Sequence, residues 1–145
     1  MNIKNLINIL PFEYIFKIVD NRPELLDWNK ISREFRLTEN FIEKYKNYVN
    51  RKEISINQRL SELFIEKYQN AVDWNAISKI QNLSEPFIEK HDDKVNWKLI
   101  SKNQSLSEEF IERHANKVNW DGIFKYQTLS KEFIEKHKDK TNKNN

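Results

Sequence analysis

The sequence predicts an all-α fold, an α-solenoid of short helix pairs made of about five 23-residue repeats behind an N-terminal helical cap. Three observations predict it. A 23-residue period runs through the 145-residue chain with no insertion or deletion. Every period carries two sets of helix-start residues, and the apolar residues after each start fall at helical spacing.

Leu37, Leu60, Leu83, Leu106 and Leu129 open five units and are taken as position 1. Position 5 is then Phe41, Phe64, Phe87, Phe110 and Phe133, and position 6 is Ile42, Ile65, Ile88, Ile111 and Ile134. Val49, Val72, Val95 and Val118 hold position 13, and Ile54, Ile77, Ile100 and Ile123 hold position 18. Trp74, Trp97 and Trp120 stand at position 15, with Arg51 as the departure. Read backwards, the frame yields a degenerate unit from Tyr14, with Trp28, Ile31 and Ser32 at positions 15, 18 and 19. This divides the chain into a cap with its degenerate repeat (1–36), the array (37–140) and a polar, disordered tail (141–145).

The cap is expected to be two helices broken at Pro11, with Ile3, Leu6, Ile7, Leu10, Phe12, Ile15 and Phe16 as its apolar face. In each repeat, Ser or Thr at position 2 predicts the N-cap of a first helix, and Glu at position 3 suits its positive end. Asn or Asp at position 11 is expected to end that helix through a left-handed or turn backbone, in a chain with one glycine. Asn or Asp at position 14 then caps a second helix whose positions 15, 18, 19 and 22 share a face. Helices of eight or nine residues are marginal alone, so stacking must stabilise them. A buried tryptophan at position 15 would lose about 3–5 kcal/mol on truncation to alanine.

Composition excludes several function classes. One glycine removes Gly-rich phosphate loops, and the absence of cysteine removes disulfides, thiolate metal sites and thiol nucleophiles. An intracellular, cytoplasmic setting is expected on that ground. No apolar run approaches the roughly 20 residues of a membrane span. The net charge of +3 lies mostly in residues 131–145, so the rest of the chain is close to neutral. Nineteen Lys, nineteen Asn and seventeen Ile, all with AT-rich codons, point to an AT-rich genome.

Candidate chemistry dissolves into the repeat. His91, His114 and His137 share position 9 with Tyr45 and Tyr68, one helix-packing distance (~10 Å) apart. Zinc ligands must converge to about 2.1 Å of one ion, so no metal or other cofactor is expected. The recurrent Glu-Lys pairs at positions 7 and 8 read as a solvated face rather than as acid and base. Position-22 glutamines Gln58, Gln81, Gln104 and Gln127 are assigned to backbone groups of the inter-repeat turn. Serines Ser55, Ser78 and Ser101 at position 19 are assigned to close helix approach. No nucleophile, base and orienting group can be assembled, so the chain reads as a non-enzyme.

Variation between repeats marks the candidate partner surface. Ile56, Ile80, Leu99 and Tyr126 are apolar on the nominally outer side of second helices, and Lys79, Lys102 and Lys125 recur at position 20. The first set predicts binding of an unidentified protein. The lysines with Tyr126 are the basis of an alternative, a single-stranded nucleic-acid surface, which the near-neutral body makes the weaker of the two. Phe133 and Ile134 near the last repeat's open side predict end-to-end self-association.

The unit Leu-Ser-Glu-x-Phe-Ile-Glu-Lys, then Val-Asn-Trp, Ile-Ser and Gln resembles a tandem repeat of giant-virus and phage proteins, over about residues 14–140. That resemblance implies a repeat protein, host-directed and in the host cytoplasm if viral, and it carries no activity. Leu10-Pro11-Phe12-Glu13, then Ile15, Ile18, Leu25-Leu26 and Ile31-Ser32-Arg33-Glu34-Phe35 is similar to an F-box. This second resemblance implies a substrate adaptor of a cullin ubiquitin ligase, with Leu10, Pro11, Ile15 and Ile18 facing a Skp-type adaptor.

Overall fold

A computed structural model describes residues 17 and 19–140. The expected cap through residue 16, Ile18 and the tail from 141 lie outside them, and with them Leu10, Pro11 and Ile15. Among the described residues the chain is entirely helical. First helices are α2 (Glu39–Lys44), α4 (Glu62–Lys67), α6 (Glu85–Lys90), α8 (Glu108–Arg113) and α10 (Lys131–His137). Second helices are α1 (Trp28–Glu34), α3 (Arg51–Asn57), α5 (Trp74–Ile80), α7 (Trp97–Asn103) and α9 (Trp120–Tyr126). The chain divides into two compact bodies, Met1–Val72 and Asp73–Asn145. In the first body α1 packs on α3; in the second, α5 packs on α7 and α7 on α9. Each body is thus a run of helix pairs packed in series, the arrangement of a helical-repeat solenoid.

Capping starts every helix where the repeat places it. Thr38, Ser61, Ser84, Ser107 and Ser130 accept the backbone N–H of the position-5 phenylalanine. Asp27, Asn50, Asp73, Asn96 and Asn119 do the same for the second helices. Helix ends differ from expectation. From α2 to α9 the helices have six or seven residues rather than eight or nine. No described residue has a positive φ, so of the two backbones expected at position 11 the first four repeats use the turn and not the left-handed one. The chain leaves through a right-handed turn in which the position-9 carbonyl accepts two amides. His91 O, for example, takes Lys94 N–H at 2.9 Å and Val95 N–H at 3.0 Å.

The core is a line of isoleucines. Ile31, Ile65, Ile77, Ile88, Ile100, Ile111 and Ile123 have no exposed surface. Around it lies an aromatic ladder between successive repeats. Trp97 packs on Phe110 and His114 of the next repeat, with ring centres 6.1 and 5.0 Å apart. Trp28 meets Phe41 and Tyr45, Trp74 meets Phe87 and His91, and Trp120 meets Phe133 and His137. Arg51, the departure at position 15, keeps this role: its guanidinium lies 4.4 Å from the Tyr68 ring centre. Trp28 is buried, but Trp74, Trp97 and Trp120 are half-buried; the Trp97 indole N–H donates to Asp92 and that of Trp120 to Ala115 O. Full burial at position 15 was therefore too strong an expectation.

Buried polar side chains bridge one repeat to the next. Gln104 accepts Leu83 N–H (3.0 Å) through Oε1 and donates through Nε2 to Ser78 O (3.0 Å) and Gln81 O (2.8 Å). Gln127 repeats the pattern on Leu106, Ser101 and Gln104, and Gln58 does so on Leu37, Ser32 and Phe35. Ser78 Oγ donates to Trp74 O (2.7 Å) and accepts Asn96 N–H (2.9 Å). Ser101 makes the same bridge to Asn119 N–H, and Ser32 accepts Asn50 N–H. The position-19 serines are therefore clips as well as small residues. At the first helices, Glu39 accepts the N–H and hydroxyl of Ser61, Glu85 those of Ser107 and Glu108 those of Ser130.

Two stability effects follow. Gln104→Ala strands three backbone groups, two carbonyls and one amide, at a cost of about 2–4 kcal/mol in urea denaturation. Trp97→Ala is expected to cost about 2 kcal/mol, less than a fully buried tryptophan would. A loss below 1 kcal/mol in the first case contradicts the clasp; a loss above about 4 kcal/mol in the second contradicts half-burial.

Candidate functional site

The residues singled out by variation between repeats sit on the second helices. In the first body Ile56 lies at the rim of α3, 36% exposed. In the second, α5, α7 and α9 present Lys79, Lys102 and Lys125 in their last turns, all exposed. Ile80 and Tyr126, 48% and 47% exposed, stand next to them at position 21. Leu99 belongs elsewhere: at position 17 it is half-buried, and its counterparts Ala76 and Gly122 are buried. Crowding explains this, since a Cβ on Gly122 would sit 3.3 Å from the Ser101 Cβ. Position 17 is the side on which successive second helices approach.

Charge is distributed unevenly. Helices α5, α7 and α9 carry four lysines and one acid, Asp121, whereas α6, α8 and α10 are rich in glutamate. First-helix cations are paired between repeats: Lys44 with Asp20, Lys67 with Glu43 at 2.9 Å, Arg113 with Glu89 at 3.9 Å, and Lys136 with Glu112. Lys79, Lys102 and Lys125 have no carboxylate in ion-pair range among the described residues. Lys102 and Lys125 instead lie 5.1 and 5.4 Å from the Tyr126 ring centre. Lys125, which hydrogen-bonds the phenol, and then Lys102 hold the Tyr126 hydroxyl below the ordinary tyrosine value. A face of unpaired ammonium groups with exposed Ile80 and Tyr126 can receive an anionic, partly apolar partner.

The position-9 histidines do not converge. His91 and His114 are buried against tryptophan and phenylalanine. His114 Nε2 lies 3.4 Å from Glu89, and His137 Nε2 3.3 Å from Glu112. No cluster of three metal-ligating side chains occurs among the described residues. The Glu-Lys face is therefore an inter-repeat pairing surface, one step more specific than a solvated face. Tyr45 and Tyr68 hydroxyls join it, donating to Asp20 and Glu43.

Variation at positions 17, 20 and 21 missed the most exposed apolar residue, Leu63 on α4, which is 84% exposed, as well as Tyr48 at 43%. Leu63 occupies position 4, where other repeats have Asn40, Pro86, Glu109 and Glu132; comparing first helices in the same way would have found it. Phe133 is buried under Trp120, and Ile134 is 44% exposed. No helix among the described residues is long and apolar enough to cross a membrane.

Four inter-repeat carboxylates titrate below their ordinary values of 3.8 for Asp and 4.5 for Glu. Lys44 and then Tyr45 lower Asp20, Lys67 and then Tyr68 lower Glu43, Lys117 lowers Asp92, and Lys136 and then His137 lower Glu112. A lowered folded value means stability that is present above the unfolded value and lost as pH falls through the folded one. The melting temperature at low salt is expected to fall below about pH 5, with a shallower slope in Glu112→Gln. An unchanged slope in that variant would remove Glu112 from the account.

Compared with known proteins, the chain has no match: no family model, no curated protein and no solved structure is significantly similar to it.

Proposed function

We propose that the chain is a non-enzymatic helical-repeat module that binds another protein through the outer face of its second helices. One observation carries this reading. The polar and charged groups of the repeat framework are used between repeats, while Lys79, Lys102, Lys125, Ile80 and Tyr126 vary in kind or lack carboxylate partners. Ile56 in the first body is of the same class. An intracellular setting fits a chain without cysteine. The AT-rich-codon composition and the likeness of the unit to giant-virus and phage repeats extend the proposal to a host protein as partner.

A second reading is single-stranded nucleic-acid binding along the same lysines, with Tyr126 as a stacking surface. The lack of carboxylates beside those lysines favours it. The F-box reading has less support, because Ile31 and Ser32, which that resemblance shares with the repeat, are buried framework in α1.

Affinity capture from eukaryotic lysate, with and without nuclease, tests these readings. The protein-binding reading expects a nuclease-resistant partner that is lost in Ile80→Glu plus Tyr126→Glu and kept in Leu63→Glu. A partner lost on nuclease treatment would replace it with the nucleic-acid reading. A Skp-type adaptor lost in Leu10→Asp plus Ile18→Asp would replace it with the adaptor reading.

A further inference from the structure

Departures from the repeat are few, and three of them meet at one cleft in the first body. It has a volume of about 370 Å³ and opens between the ends of α1 and α3. Gln58 and Phe35 line it together with Arg33, Glu34, Arg36 and Arg59. Phe35 stands at position 22, where Gln58, Gln81, Gln104 and Gln127 stand in later repeats. Arg36 and Arg59 occupy position 23, where the second body has the neutral Asn82, Ser105 and Thr128. The framework therefore works without charge at position 23, and packing does not account for the arginines.

The cleft's own electrostatics leave two positive charges over. Glu34 is its one carboxylate. It is already matched by Arg33 at 3.3 Å and Lys30 at 3.7 Å. Arg36 and Arg59, both exposed, have no carboxylate in ion-pair range among the described residues. The Gln58 amide in the lining is engaged with Leu37, Ser32 and Phe35, which leaves recognition of an anion to the guanidinium groups. Each guanidinium is a planar fork suited to two oxygens of one oxyanion. One such fork suits a monoanionic carboxylate. Two forks on one cleft answer a dianion.

We propose that this cleft is a binding site for a phosphate-type dianion, held by Arg36 and Arg59. The inference is independent of the second-helix face in the other body. A phosphorylated side chain and free phosphate present the same chemistry to it, and the test separates the two sources.

The experiment is an NMR titration of the arginine Nε–Hε signals of the full chain with inorganic phosphate, at constant ionic strength. Saturable shifts at Arg36 and Arg59, in the millimolar range, are expected. Arg36→Gln plus Arg59→Gln, both at exposed positions, should weaken binding by about tenfold or more, and Arg36→Lys plus Arg59→Lys by less, because it keeps charge and loses the forks. Lys102→Gln plus Lys125→Gln should leave binding unchanged. Affinity for a phosphoserine peptide should fall between about pH 7.5 and 5.5, as its phosphate monoester, with a second pKa near 6, becomes a monoanion. A phosphoserine peptide that binds more tightly than phosphate, while its unphosphorylated form does not bind, names a phosphoprotein as the source; equal affinities name free phosphate. A linear, unsaturating response, or equal affinity in the double glutamine variant, overturns the site.

Discussion

The structure depends on the position-22 glutamine. Helices of six or seven residues do not persist in water, because nucleation costs more than so few hydrogen bonds return. They persist here because each is bonded to its neighbour in the array as well as within itself. Gln58, Gln104 and Gln127 each close one turn and hold two carbonyls of the preceding repeat, in a region where these groups would otherwise be buried without partners. Position-19 serines and position-3 glutamates add further bonds across the same junctions. Stability is accordingly a property of junctions between repeats rather than of any single repeat.

This division of labour separates framework from function. Aromatic ladder, isoleucine line, glutamine clasp and first-helix ion pairs recur with little change, and the departures show how strict each position is. Arg51 can replace tryptophan because a guanidinium also stacks on an aromatic ring. Phe124 replaces serine and packs on Trp120 at 5.9 Å. Departures of another kind, such as the exposed Leu63, the arginines of the α1–α3 cleft and the unpaired lysines of the second body, have no framework role to explain them. These are where a partner or ligand would be read.

Much of the fold was legible in the sequence because a repeat tests each assignment several times over. Both helix starts, the core line of Ile at positions 6 and 18 and the backbone role of the glutamines could be read from residue type and spacing alone. Helix ends could not. They depend on which carbonyl accepts two amides after position 8, a choice made by turn geometry. Partial exposure of the tryptophans was also hidden, because indole shows one apolar face and one donor edge and spacing does not say which edge meets solvent. Of the candidate face, Ile56, Ile80 and Tyr126 are exposed as expected. Leu99 is half-buried because position 17 meets the neighbouring second helix, a distinction that helical periodicity within one repeat does not contain.

Hydrogen exchange at the amides of Leu83 and Leu106 tests the central claim most directly. Both lie between helices and donate to a side chain, Gln104 or Gln127, rather than to the backbone. The clasp predicts protection comparable to that of helical core amides such as Ile100, and its selective loss at Leu83 in Gln104→Ala. Exchange at loop rates in the unmodified protein would contradict it.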